Sequence, residues 1–275
     1  MKNNPHIIQS AQNKQFKLFK SLNQKKYREQ ERLYFLEGLR YVETAVDNGK
    51  SLESLIISDV LWETLKMTEM GATFLNLCPV YVLHEALFSE LVQTEQSQGI
   101  VGVFKMHSHT ALGEWVLGRD NHKTILWLDR LQDPGNLGTI IRTADAVGVE
   151  IILMSHGTVD PYNPKSVRST AGSILNVTLV NVANNESMCE HLKSSGYKLV
   201  ATALEGALDY SVEAAYGQKN CLIIGNEANG ISNDLLVASD LRVKIPIIGG
   251  AESLNASVAA GIMLYKLYDI GQKKP

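Results

Sequence analysis

From Thr124 onward the sequence alternates short, continuous apolar runs with helical stretches, and no other feature restricts the fold as tightly. Ile125-Leu126-Trp127-Leu128 is such a run, and others recur at Ile151 to Met154, Val177 to Val182, Lys198 to Ala203, Leu222 to Ile224 and Leu241 to Ile247. A strand with one wet face alternates apolar and polar residues, whereas a strand covered on both faces reads as an unbroken apolar run. Helical stretches lie between the runs, at Thr139 to Val147, Lys165 to Ile174, Ser187 to Ser195 and Asp234 to Ala238, and Ala256 to Tyr268 closes the chain. Strand and helix in this succession specify an α/β fold, a parallel sheet with helices on both faces.

The first part is also mixed. Gln12 to Asn23 predicts a helix, with Phe16, Phe19 and Leu22 at helical spacing. Tyr34-Phe35-Leu36 reads as a strand and Gly38 to Asn48 as a helix closed by Asn48-Gly49. Ser54 to Ser58, Pro79 to Leu83 and Ile100 to Phe104 read as strands, and Trp62 to Met70 as one helix. From His107 to Lys123 the pattern weakens. The expected organisation is therefore a smaller α/β domain over residues 1–107, a linker over 108–122 and a larger domain over 123–275.

With 45% hydrophobic and 20% charged residues, the chain has enough apolar material for a real core. Met1 to Lys20 lack the apolar centre of a signal peptide, and no stretch approaches the roughly 18 apolar residues of a membrane span. Cys78, Cys189 and Cys221 are odd in number and unclustered, which argues for a reducing cytoplasm and against a disulfide framework or a metal site. The net charge of -3 conceals an uneven distribution. Up to Arg28 the chain carries Lys2, Lys14, Lys17, Lys20, Lys25, Lys26 and Arg28 with no acidic residue, and Phe16, Phe19 and Tyr27 are interleaved. Such a segment suits a phosphate backbone with bases stacked on the rings. It suits equally a solvated helix whose aromatics face the core.

Three loops of the second half carry more Gly, Asn and charged residues than packing requires, and each adjoins an apolar run. Ligands of open α/β sheets bind at the carboxyl ends of strands, where these loops fall. The first, Leu128 to Gly138, reads as a Pro134-Gly135 turn before a helix at Thr139, with Asn136 and Arg142 six residues apart. It lacks the Gly-x-Gly-x-x-Gly spacing of a dinucleotide site. The second, Gly225-Asn226-Glu227-Ala228-Asn229-Gly230, sets a carboxylate between glycines, and Glu227 also suits an ordinary helix cap. The third runs from Ile245 through Gly249-Gly250 to Ser253, Asn255 and Ser257, of which one is needed as a helix N-cap and two exceed that need.

These three loops, in this order and at these spacings, resemble the three motifs of the SpoU (TrmH-like) branch of the SPOUT RNA methyltransferases, over roughly Thr124 to Tyr268. The first part, with its Glu37-Gly38 step, resembles the ribosomal-protein-like substrate-binding domain that precedes the catalytic domain in many members. The resemblance implies a carboxyl-terminal trefoil knot and S-adenosylmethionine bound through backbone groups at Gly225, Ile245 and Leu254. It also implies catalysis by Arg142 with Asn136, Glu227, Ser253 and Asn255, Glu227 orienting Arg142 or the ligand. Arg168 matches a family arginine that contacts RNA phosphate, and reads equally as a plain helix-face charge; Lys14, Lys17, Lys25, Lys26 and Arg28 complete the expected RNA surface. The implied reaction is methyl transfer to a ribose 2′-hydroxyl of RNA, ribosomal RNA ahead of transfer RNA. It needs no metal, and family members act as homodimers, for which Ile262, Met263, Tyr265 and Leu267 of the last helix supply either a surface or plain core. Readings of other classes are a non-catalytic RNA-binding assembly factor, opposed by the full set of polar motif residues, and a nucleotide-dependent oxidoreductase, opposed by the missing glycine fingerprint.

Overall fold

The structure is a computed structural model that describes residues 4–92, 94, 97–106 and 123–273, so the expected linker 108–122 lies outside the described residues. The chain forms two compact units. One holds the residues up to Met106 together with Asp160–Leu175; the other holds, among the described residues, Lys123 to Val159 and those from Asn176 onward.

In the first unit the elements are β1 (His6–Ile8), α1 (Lys14–Ser21), α2 (Lys25–Glu31), β2 (Leu33–Glu37), α3 (Leu39–Asp47), β3 (Leu52–Ser58), α4 (Asp59–Leu65), α5 (Glu69–Leu77), β4 (Val80–Leu83), α6 (Glu85–Leu91) and β5 (Ile100–Lys105). The sheet order is β1-β4-β3-β5-β2, with β1, β4 and β3 parallel and β5 antiparallel to both β3 and β2. Asn13 starts α1 by accepting from the Gln15 and Phe16 amides, which turns Phe16 and Phe19 into the core. Successive residues of β3 serve opposite faces: Ile56 packs with Phe16, Phe19 and Phe88, while Leu55 and Ile57 pack with Trp62, Leu65 and Phe74.

The stretch expected as one helix over Trp62 to Met70 is two. Thr68 caps α5 by accepting from the Gly71 amide at 3.2 Å, and a Cβ at Gly71 would lie 2.2 Å from the Leu65 carbonyl oxygen, so the chain turns where only glycine fits. Helix α2 has no apolar period and β1 is three residues at a sheet edge, so neither carries a sequence signal.

Asp160–Leu175 contains α8 (Pro164–Ser169) and belongs to the first unit, although its sequence falls inside the expected second domain. Tyr162 packs its ring 4.8 Å from that of Tyr34, and Arg28, only 3% exposed, donates to the Asp160 carboxylate at 2.5 Å. An apolar ring and a buried charge both need cover, and this unit supplies it.

Among the described residues, the second unit comprises β6 (Thr124–Leu128), α7 (Pro134–Ala146), β7 (Ile151–Ser155), β8 (Thr178–Val182), α9 (Asn185–Ser194), β9 (Tyr197–Thr202), β10 (Leu208–Asp209), β11 (Lys219–Ile224), α10 (Asn233–Ala238), β12 (Leu241–Lys244) and α11 (Ala256–Lys273). Every strand pair is parallel, in the order β10-β12-β9-β11-β6-β7-β8, as the apolar runs predict. Ile125, Trp127, Leu199, Cys221 and Ile223 build one face of the core, and α11 buries Ala260, Met263, Leu264, Leu267 and Ile270.

Helix α7 begins at Pro134, ahead of the expected Thr139. Proline at the first helical position forfeits no hydrogen bond, and the Asp133 carboxylate accepts from the Asn136 amide at 2.7 Å, so Pro134 to Gly138 are helical. Strand β12 ends at Lys244 rather than Ile247, because the chain leaves the sheet there to build a loop.

Candidate active site

Strands β12, β9, β11 and β6 are consecutive in the sheet and parallel, so their carboxyl ends lie side by side. The three loops follow β6, β11 and β12 directly, which brings together residues up to 119 positions apart. Asp129, fully buried after β6, accepts from the Ser232 amide at 2.7 Å and from Arg130 at 3.3 Å. Arg130 takes a left-handed backbone (φ 55), and its carbonyl accepts from the Asn226 side chain at 2.8 Å. Asn226 also exchanges two backbone hydrogen bonds with Gly230 and accepts from the Ala228 and Asn229 amides. This turn explains Gly225: a Cβ there would lie 2.3 Å from the Gly230 carbonyl carbon, so the close approach is between two backbones.

A polar chain joins the loops. Glu227 accepts from the Gln132 amide at 3.1 Å, the Asp133 amide at 3.2 Å and the Asn136 side chain at 3.1 Å. Asn136 in turn accepts from the Asn255 side chain at 3.0 Å, and Asn255 caps α11 by accepting from the Ser257 amide at 2.8 Å. Partial burial of Glu227 pushes its pKa up, but the hydrogen bonds from Asn136, Gln132 and Asp133 outweigh it and hold the carboxyl below its ordinary value.

Beside this chain lies a cleft of about 780 Å³. Gly225, Ile245 and Leu254 all line it, as do Glu227, Ser253 and Asn255. Among the described residues no backbone–backbone hydrogen bond engages Ile245 to Leu254, so their amides and carbonyls remain for a ligand or water. Apolar walls from Ile224, Ile245, Ile247 and Leu254, with the carboxylates Glu205 and Glu252 and the cations Arg242 and Lys244, suit a ligand that is part apolar and carries charges of both signs, as an amino-acid group does. S-adenosylmethionine, with an adenine ring, a sulfonium and an ammonium, fits that set.

Arg142 is exposed on α7 and does not line the cleft of its own chain; among the described residues it makes no hydrogen bond, and Glu227 engages the first loop. One expectation needs correction. Arg28 is no RNA contact, because it is buried against Asp160 and the Leu22 carbonyl. Phe16 and Phe19 lie in the core, which settles the open reading of that helix: the rings pack inside. Lys14, Lys17, Lys25 and Lys26 are exposed, and Arg168 is exposed and donates to Thr94 at 2.9 Å. Asp129 and Asn226 were missed as organisers of the loops; their signal was position, a polar residue directly after an apolar run and one between Gly225 and Glu227.

Residues 123–265 match the SpoU rRNA Methylase family and residues 13–102 the MRM3-like substrate binding domain. The chain is 34% identical over 260 residues to the 23S rRNA (guanosine(2553)-2′-O)-methyltransferase RlmP of Bacillus subtilis, covering 94% of this chain and 98% of that protein. The AdoMet-bound rRNA methyltransferase of Sinorhizobium meliloti superposes with a TM-score of 0.84 at 31% identity, covering 96% of this chain and 97% of that one. The SpoU methyltransferase AviRb of Streptomyces viridochromogenes, in complex with AdoMet, superposes with a TM-score of 0.81 at 28% identity over 94% and 98%. A polar chain across three loops, a cleft beside it and a match over both parts of the sequence lead to one conclusion: this chain belongs to the SpoU rRNA methylase family.

Proposed function

We propose that this protein methylates a ribose 2′-hydroxyl of 23S ribosomal RNA, with S-adenosylmethionine as donor, as a cytoplasmic homodimer. The observation that carries this reading is the convergence of the three loops on one cleft through Glu227, Asn136 and Asn255. The relatives' rRNA substrates support the target, and their bacterial setting supports the compartment. No helix among the described residues is long and apolar enough to cross a membrane.

Gly225, Ile245 and Leu254 hold the cofactor through their backbones, and the bound cofactor supplies a methyl group already activated on a sulfonium. The protein has two remaining tasks: to fix the geometry and to manage the hydroxyl proton. Glu227 anchors the first loop, Asn136 and Asn255 fix the loops and the ribose, and Ser253 lines the cleft beside them. Arg142 carries a delocalised positive charge and several N–H donors, so it acts best by stabilising the developing alkoxide. Its exposed place on α7, outside the cleft, supports service to the site of a second protomer. Tyr265, 53% exposed, and Val258 and Tyr268 give α11 an apolar outer face for that dimer, while Met263 and Leu267 are core. Lys14, Lys17, Lys25, Lys26 and Arg168 contact phosphate. The described residues up to Met106, with Asp160–Leu175 packed among them, form the substrate-binding domain, and the rest from Lys123 onward the methyltransferase domain, whose carboxyl-terminal segment threads the family's trefoil knot.

The test is transfer of labelled methyl from S-adenosylmethionine to RNA from cells lacking the protein, followed by nucleoside analysis. A 2′-O-methylated nucleoside confined to 23S rRNA is expected. Label in transfer RNA alone, or on a base, would overturn the assignment.

A further inference from the structure

Within the first unit a second recess lies among β2, β5, the end of α6 and α8. Its walls are apolar, from Phe35, Leu91, Val101 and Val167, and three polar side chains reach it: Asn23, Glu37 and Arg168. Its inner volume is about 40 Å³, room for two or three waters and so for the edge of a flat ring rather than a whole base.

The polar groups are held in a fixed order. Arg168 donates to the Thr94 hydroxyl at 2.9 Å, and Thr94 donates to the Glu37 carboxylate at 2.9 Å. Asn23 donates to the Leu91 carbonyl at 3.0 Å. One Glu37 oxygen and the Asn23 side-chain oxygen are left without a hydrogen bond among the described residues, two acceptors on residues that line an apolar slot. A carboxylate can only accept, so the ligand must present N–H donors on a flat apolar body.

We propose that this recess reads one unpaired base of the RNA by its Watson–Crick edge, with Glu37 as the discriminating acceptor. The proposal rests on RNA being the substrate. Guanine offers two adjacent donors to a carboxylate, adenine and cytosine one amino group, and uracil a single N–H flanked by carbonyls that the carboxylate repels. Arg168 favours a ligand that carries phosphate and opposes a lysine or arginine side chain from a protein partner. The recess therefore adds base preference to a unit whose exposed lysines bind any strand alike.

Binding of labelled uridine pentanucleotides, with a central guanosine, cytidine, adenosine or uridine, to the full-length protein tests this by fluorescence anisotropy. The guanosine pentamer is expected to bind about tenfold tighter than the all-uridine one. Glu37→Gln should bring the two within about twofold of each other while leaving all-uridine affinity in place. Val167→Phe, which fills the slot without touching the carboxylate, should do the same, and an unchanged circular-dichroism spectrum and thermal melting transition check that each variant is folded. Equal binding of all pentamers to the wild-type protein would overturn the base-reading role and leave the RNA substrate standing. A preference that survives both substitutions would overturn it as well. Failure of every pentamer to bind would overturn it too, and methyl transfer to 23S rRNA would then decide separately whether the RNA reading survives.

Discussion

The loop cluster of the second unit and the basic surface of the first handle polar groups in opposite ways. In the cluster, Glu227, Asn136 and Asn255 are linked in series, so moving one moves the others. On α1 and α2, Lys14, Lys17, Lys25 and Lys26 stand in solvent, with partners no closer than a neighbouring Gln12 or Glu29 on their own segment. Chemistry at a single atom requires groups fixed before the substrate arrives, and a fixed network provides that. Attraction to a phosphate chain works over several ångströms and tolerates mobile charges. Arg28 is the exception on the basic side, because it has been drawn inside and has become structural.

The contrast is broken most severely at Arg28. Arg28→Ala strands the buried Asp160 carboxylate and should destabilise the protein by about 3–5 kcal/mol in denaturant titration, while oligonucleotide binding by the folded fraction is unchanged. A loss of binding with full stability would return Arg28 to the RNA surface. The next effect in size concerns Arg142. Arg142→Ala should keep S-adenosylmethionine affinity and lower methyl transfer by about 10²–10³-fold, the usual result of removing one donor to a developing oxyanion. Undiminished turnover would remove Arg142 from the reaction.

The lysines should answer differently. Each of Lys14, Lys17, Lys25 and Lys26 changed to Ala should weaken RNA binding evenly across sequences and flatten the slope of log K against log salt by about 0.7 on single strands. A slope that does not move would place the strand elsewhere. The smallest effect is the pH response of Glu227. Its folded pKa lies below the ordinary value of about 4.3, so it adds stability in full above that value and loses it as pH falls through the lower folded value. Melting temperatures of the wild type and Glu227→Gln should differ by a constant, small amount near neutrality and converge once the pH falls below the lowered folded value. A gap that persists in acid would show that the carboxylate's charge is not what ties the loops.

Sequence alone determined six of the seven strands of the second sheet and the loops beside its cleft, though not which side chains face that cleft. A strand covered on both faces is mostly apolar, so the six runs emerged as parallel strands even where Asn181 and Lys244 reach solvent, and polar residues directly beyond them marked the loops. Glycine spacing located Gly225 and Gly230, though the reason, one backbone pressed on another, is a three-dimensional fact. Tertiary structure alone decided what each polar side chain faces. Lys26 and Arg28 look alike in a string, yet one is solvated and the other buried, because the difference lies in Asp160, 132 residues away. Helix α2 has no apolar stripe, and Asp160–Leu175 joins the first unit through contacts made across the chain. Periodicity reports which residues must leave water, and only the assembled fold determines which partners they meet there.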